Sequence, residues 1–130
     1  MLKDFPETGS SVQNKASGEK QPSHPGKKLV CSACRTFITT EDQAISVNNF
    51  HRHVFVNPQG LIFEVRCFGR ADNLTGLGPF ISRFTWFPGY DWQAVICSVC
   101  HTHLGWLYTS SEKNMFLGLI AEKIIPAGQD

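Results

Sequence analysis

Apolar residues along the chain gather into short runs broken by Gly, Pro, Asn and Ser, the texture of a protein built from many short strands. His53-Val-Phe-Val56 and Leu61-Ile-Phe-Glu-Val-Arg-Cys67 flank Asn57-Pro58-Gln59-Gly60. Proline presets one turn dihedral and glycine tolerates another, so this stretch reads as a β-hairpin. Strict alternation in its second strand sets Leu61, Phe63, Val65 and Cys67 on one face and Ile62, Glu64, Arg66 and Phe68 on the other, with the first set expected inside. Gln93-Ala-Val-Ile96, Gly105-Trp-Leu-Tyr108 and Phe116-Leu-Gly-Leu-Ile120 read as further strands separated by turn signals. Only Thr39 to Ala44 invites a short helical turn. The predicted fold class is all-β.

Residues 1–28 are rich in Ser, Gly, Pro, Lys and Gln with almost nothing apolar to bury, and read as a disordered tail. The ordered domain is expected over 29–126, with a short tail at 127–130. A chain of 130 residues, 42% apolar and 12% aromatic, builds one compact core. Its 12 basic residues nearly cancel its 11 acidic ones, which excludes an electrostatic footprint for nucleic acid or an anionic membrane. With no long apolar run and a polar start that lacks the features of a secretory signal, the expectation is a soluble, cytoplasmic monomer. In that compartment the glycosylation pattern Asn73-Leu74-Thr75 carries no meaning.

Four of the five cysteines fall in two pairs, Cys31-Ser-Ala-Cys34 and Cys97-Ser-Val-Cys100. Each pair places two thiolates on one tight turn, and two such turns supply the four soft ligands of a tetrahedral zinc ion. Four protein ligands leave no open position, so the zinc is expected to be structural. Cys97-x-x-Cys100-His101 also matches a c-type haem attachment, but that reading leaves the first pair unexplained and requires export. Disulfide pairing equally requires an oxidising compartment. With four thiolates at hand, His101 and His103 are read as ordinary polar residues. Cys67, among apolar strand neighbours, is read as a buried, inert thiol.

All three tryptophans lie within 21 residues, in Trp86-Phe-Pro-Gly-Tyr-Asp-Trp92 and Gly105-Trp106-Leu107-Tyr108. Trp106 and Tyr108, two apart on a strand, share a face, while Trp86 and Trp92 bracket a Pro88-Gly89 turn. Any single tryptophan is more often core than site. A core of this many indoles, however, buries several N–H groups that need partners, whereas a surface cage leaves them solvated or turned to a ligand. Such a cage suits a methylated ammonium, with Asp91 as counter-charge, or a flat neutral ring whose polar edge meets main-chain groups. Spacing alone leaves both open.

Taken together, the two Cys-x-x-Cys pairs, Asn57-Pro58-x-Gly60, Trp86-Phe-Pro-Gly-Tyr-x-Trp92 and His103-x-Gly-Trp106 resemble the thalidomide-binding (CULT) domain of the cereblon family, over about Leu29 to Pro126. The chain resembles the stand-alone, single-domain members found in bacteria. The resemblance implies a β-tent fold, two antiparallel sheets leaning together and pinned by the zinc. It further implies a cage for a cyclic imide such as the glutarimide ring of thalidomide, at positions matching Trp86, Trp92 and Trp106. Tyr108 would close the cage, Phe63 would stand at its edge, and Phe84 and Trp86 would offer a main-chain carbonyl and amide to the imide. Asn57 would reach the part of the ligand outside the cage.

Phe84 stands where the animal family members carry His, and so does Gln59 in the Asn-Pro turn. The Lon-like domain and the adaptor-binding segment that join the animal members to a cullin ubiquitin ligase have no counterpart in this sequence, so the ligase role is not carried over. The expected function is a non-enzymatic module for small cyclic imides, free or formed at the C-terminus of a modified protein. Two alternatives belong to other classes. A methionine-R-sulfoxide-reductase-like enzyme shares the β-tent and paired Cys-x-x-Cys site, but its nucleophile would have to be Cys67, since no cysteine follows Cys100. A reader of methylated lysine would bind with strong salt dependence.

Overall fold

The computed structural model describes residues 26–128. Residues 1–25 of the tail expected over 1–28 and residues 129–130 lie outside the described residues, whereas Lys28, the last residue of that expected tail, is already in a strand. Within the described residues the chain forms β1 (Lys28–Cys31), β2 (Phe37–Thr40), β3 (Arg52–Val56), β4 (Ile62–Phe68), β5 (Leu74–Ile81), β6 (Tyr90–Cys97), β7 (His103–Ser110), β8 (Met115–Ile120) and β9 (Ile124–Pro126). The expected helical turn is a 3₁₀ turn at Glu41–Gln43, and a second lies at Ala121–Lys123. No helix among these residues is long and apolar enough to cross a membrane.

Every strand pairing is antiparallel, in a three-stranded sheet of order β2-β1-β9 and a six-stranded sheet of order β3-β4-β8-β7-β6-β5. This is the all-β, two-sheet β-tent arrangement expected. The hairpin forms as read, with Gly60 at φ +88° and the Gly60 N–H donating to the Asn57 carbonyl. β5 was not legible as a strand, since it contains Gly76, Gly78 and Pro79. It is an edge strand, where a residue lacking an N–H is tolerated, and its pairing with β6 shifts register between Leu77 and Ile81.

The larger sheet is buried on both faces. One face brings Phe68, Val95, Leu107, Leu117 and Leu119 against Leu29, Ile38 and Ile124 of the smaller sheet. The opposite face carries Cys67, Tyr108 and Phe116, capped by Phe87 from the β5–β6 connection, with Trp86, Trp92 and Trp106 packed round them. This two-sided burial corrects the reading of β4. Val65, Arg66, Cys67 and Phe68 are all buried, whereas Leu61 (58% exposed) and Ile62 (70%) stand out at the hairpin tip. Alternation separates an inner from an outer face only where one side meets water, and β4 runs from solvent into the middle of the molecule.

Arg66 is the one charged residue buried among those described. Its guanidinium donates to Glu41 Oε1 at 2.5 Å and to His51 Nε2 at 3.0 Å, and lies 5.0 Å over the Phe68 ring. The His51 Nδ1–H in turn donates to the Ile45 carbonyl at 3.0 Å. A buried cation needs such pairing, and here it fastens the segment before β3 onto β4.

Candidate metal centre and aromatic pocket

Cys31 ends β1 of the smaller sheet and Cys97 ends β6 of the larger, so the two Cys-x-x-Cys turns bring one pair from each sheet to a common point. The two turns are built alike. Cys31 N–H donates to the Thr36 carbonyl (2.8 Å) and Arg35 N–H to the Cys31 carbonyl (2.8 Å); Cys97 N–H donates to Thr102 (2.9 Å) and His101 N–H to Cys97 (2.9 Å). Arg35 (φ +70°) and His101 (φ +67°) both take the left-handed conformation that tightens the loop.

The four sulfurs lie within 4.8 Å of one another, with Cys31–Cys100 and Cys34–Cys97 separations of 3.6 Å. Sulfurs held ~2.3 Å from a tetrahedral ion stand about 3.8 Å apart, so the donor set fits a closed four-thiolate metal site. These separations are far beyond a disulfide bond of about 2.05 Å, and the cysteines are free. Burial pushes the Cys31 thiol up to about 11, while the Thr102 hydroxyl and backbone pull Cys100 down to about 6. His101 and His103 stay out of the cluster.

The aromatic residues converge on an open pocket of about 480 Å³ on the other side of the larger sheet. All seven positions singled out as ligand contacts line it: Asn57, Phe63, Phe84, Trp86, Trp92, Trp106 and Tyr108. Cross-strand register explains three of them, because Trp92 stands opposite Tyr108 and Trp106 sits two residues before Tyr108 on the same face of β7. Trp86 meets Trp106 edge to face at 5.0 Å, and Phe63 lies 5.9 Å and 5.4 Å from these two rings. Phe55 stacks behind Trp86 at 4.7 Å and 10°. The Trp92 indole N–H donates to the Arg83 carbonyl at 2.8 Å.

Phe84 is 65% exposed and holds φ +62°, an unusual conformation for a bulky residue. Its carbonyl and the Trp86 N–H take part in no hydrogen bond among the described residues. Asn57 is less free than its exposure implies, since its Oδ1 accepts from the N–H groups of Gln59 and Leu61, both at 2.9 Å. Tyr108 is 1% exposed, stacked on Phe116 at 5.0 Å, and its hydroxyl has no hydrogen-bond partner among the described residues. Burial raises its pKa, so the phenol stays neutral.

Sequence reasoning missed Phe87, the 1% exposed anchor whose ring edges meet His53, Phe55, Tyr108 and Phe116 and so seat the loop carrying Trp86. It also missed His103, which lines the pocket, packs on Trp106 at 5.0 Å and donates from Nε2 to the Gly105 carbonyl at 3.0 Å. Its place in the His103-x-Gly-Trp106 motif was the available signal. Asp91, considered as a counter-charge, does not line the pocket, because alternation on β6 turns it away from the face of Trp92. Cys67 is fully buried and burial pushes its thiol up to about 12, as befits an inert core residue.

Two antiparallel sheets clasped by paired Cys-x-x-Cys turns, beside a pocket of convergent tryptophans, define a β-tent domain of the CULT type. No protein-family model matches the chain. It is similar to cereblon from Gallus gallus (35% identity over 104 residues, 75% of this chain and 23% of that protein), from Danio rerio (31%, with 75% and 24% covered) and from Xenopus tropicalis (33%, with 75% and 23%). The chain carries a cereblon-type CULT domain and belongs to that family. It spans about a quarter of the length of these curated relatives.

Proposed function

We propose that this domain binds small cyclic imides in its aromatic pocket and that the four cysteines hold a structural zinc ion. The observation that carries the ligand reading is a pocket walled by three tryptophans in which two lining residues, Phe84 and Trp86, keep a carbonyl and an N–H without a hydrogen bond among the described residues. An imide presents a donor N–H flanked by acceptor carbonyls, the complement of that pair, and its CH₂ edges pack on indole faces. Micromolar affinity corresponds to about −8 kcal/mol, within reach of a small ring that meets several aromatics and two or three hydrogen bonds. Asn57 contributes to the outer part of the site through the amide N–H that it does not give to Gln59 Oε1.

A methylated ammonium is disfavoured because no carboxylate among the described residues lines the pocket. An enzymatic role through Cys67 is disfavoured by its full burial. The zinc closes the two sheets onto one another and takes no part in ligand chemistry. The natural ligand is a free cyclic imide or one formed by cyclisation of Asn or Gln at a protein C-terminus.

The test is a titration of metal-loaded protein with glutarimide, followed by tryptophan fluorescence, beside Trp106→Ala and a trimethylammonium ligand. Saturable micromolar binding lost in Trp106→Ala is expected. Binding of the ammonium alone, or of neither ligand, would overturn the proposal.

A further inference from the structure

The two cysteine turns share one more residue than the metal site requires. Each reads Cys-x-x-Cys-x-Thr, ending in Thr36 and in Thr102. The Thr36 Oγ1 lies 3.0 Å from Cys34 Sγ, and the Thr102 Oγ1 lies 3.2 Å from Cys100 Sγ. The carbonyls of the same two threonines accept the N–H groups of Cys31 and Cys97. Each threonine therefore holds both cysteines of its turn, the first through its main chain and the second through its hydroxyl.

The division follows exposure. Cys31 and Cys97 are fully buried, whereas Cys34 and Cys100 are only partly so. The partly exposed sulfurs are the ones a water molecule or a competing chelator reaches first. A thiolate has no proton to give, so in the loaded site the hydroxyl is the donor, and an O–H···S⁻ bond is charge-assisted. Such a bond fixes the sulfur's position and withdraws charge from it.

We infer that Thr36 and Thr102 are positioning residues of the metal site, whose hydroxyls hold the two solvent-facing thiolates in place and slow the loss of the ion. The inference rests on the reading of the four cysteines as a metal site. Outer-layer partners of metal ligands typically carry ~10–100-fold in metal affinity.

The test uses the full chain loaded with zinc and measures the rate at which a chromogenic chelator removes the ion. Thr36→Val and Thr102→Val keep the branched shape without the hydroxyl and should lose zinc ~10-fold faster each. Thr36→Ser and Thr102→Ser keep the hydroxyl and should stay near the parent rate. With cobalt(II) in place of zinc, the sulfur-to-metal charge-transfer band should move to lower energy in the valine variants and not in the serine ones. Where a valine variant does not fold around the metal, serine and alanine at the same position, which differ only in the hydroxyl, decide: slower loss from serine supports the inference, equal rates overturn it. Valine variants that release zinc at the parent rate overturn it as well. A parent chain that binds less than one ion would instead remove the metal-site reading beneath it.

Discussion

Replacing Gly118 by alanine tests how tightly the pocket floor is packed. Gly118 lies on β8 between Cys67 of β4 and Trp106 of β7. A Cβ there stands 2.9 Å from Val65 Cγ1 and 3.0 Å from Tyr108 Cε2. Ordinary carbon contacts are about 3.5–4.0 Å, so each neighbour must retreat by about 0.5 Å or more. Neither has room, since Val65 is fully buried and Tyr108 is held between Phe87 and Phe116. Overpacking of this kind costs ~1–3 kcal/mol, and removing a strand glycine returns roughly 0.5–1 kcal/mol of backbone entropy. With two confined neighbours displaced at once the upper half of the overpacking range applies, and a net loss of about 1–2 kcal/mol lowers Tm by roughly 5–15 °C in a domain near 100 residues. Thermal denaturation of the metal-loaded protein reads this directly, and a parallel glutarimide titration should weaken as Tyr108 is displaced. An unchanged or raised Tm would show that the floor has slack and refute the packing argument.

Tyr108→Phe should act in the opposite direction, because it deletes a buried hydroxyl without a partner among the described residues and should stabilise the unliganded protein by about 1–3 kcal/mol; a fall in Tm would mean that a buried water satisfies that group. Stripping the metal should unfold the domain and abolish imide binding, since a four-thiolate zinc typically contributes ~10–16 kcal/mol against a total stability of ~5–15 kcal/mol, and an unchanged near-ultraviolet circular dichroism spectrum after chelation would contradict this. His51 has its pKa held below its ordinary 6.5, chiefly by burial and further by the Arg66 and Arg52 guanidinium groups, against the Ile45 hydrogen bond and Glu41, which raise it. The unfolded chain therefore takes up this proton first, so stability is intact above about 6.5 and falls as pH drops below it. Urea midpoints between about pH 7.5 and about pH 5.5 should decline less steeply in His51→Gln, and equal slopes would rule His51 out as the titrating group.

What could be read from the sequence was what is local. The hairpin at Asn57-Pro58-Gln59-Gly60 and the two Cys-x-x-Cys turns are encoded by residues a few positions apart, and each formed where it was placed. β1, β2 and β9 are three or four residues long and owe their strand geometry to each other, with Leu29 opposite both Thr39 and Pro126. No window over any one of them contains that information. The same holds for β5, where the end of the Gln93 side chain fills the space a Cβ at Gly76 would take, and Gln93 Nε2 donates to the Gly78 carbonyl at 2.8 Å. Phe87 escaped notice beside Trp86 for a related reason. Adjacent residues on a turn face opposite ways, and only the surrounding rings decide which is anchor and which is wall.

The metal site and the pocket lie on opposite faces of one sheet, yet they share their strands. Cys97 closes β6 five residues after Trp92, and Cys100 precedes β7, which delivers His103, Trp106 and Tyr108 in turn. Between them β7 is deformed, for its register against β6 shifts at Val95/Ile96 and Gly105 takes φ +156°. A Cβ at Gly105 would run into the Gly118 carbonyl and the Leu119 Cα, backbone atoms that cannot step aside. His103 holds that irregularity through the Gly105 carbonyl while its ring edge packs on Trp106. The orientation of the Trp106 wall is thus set by a distortion that begins three residues after Cys100 of the cysteine cluster. This is a physical reason for one short sequence stretch, Cys97 to Tyr108, to carry both a cysteine pair of the cluster and half of the aromatic pocket.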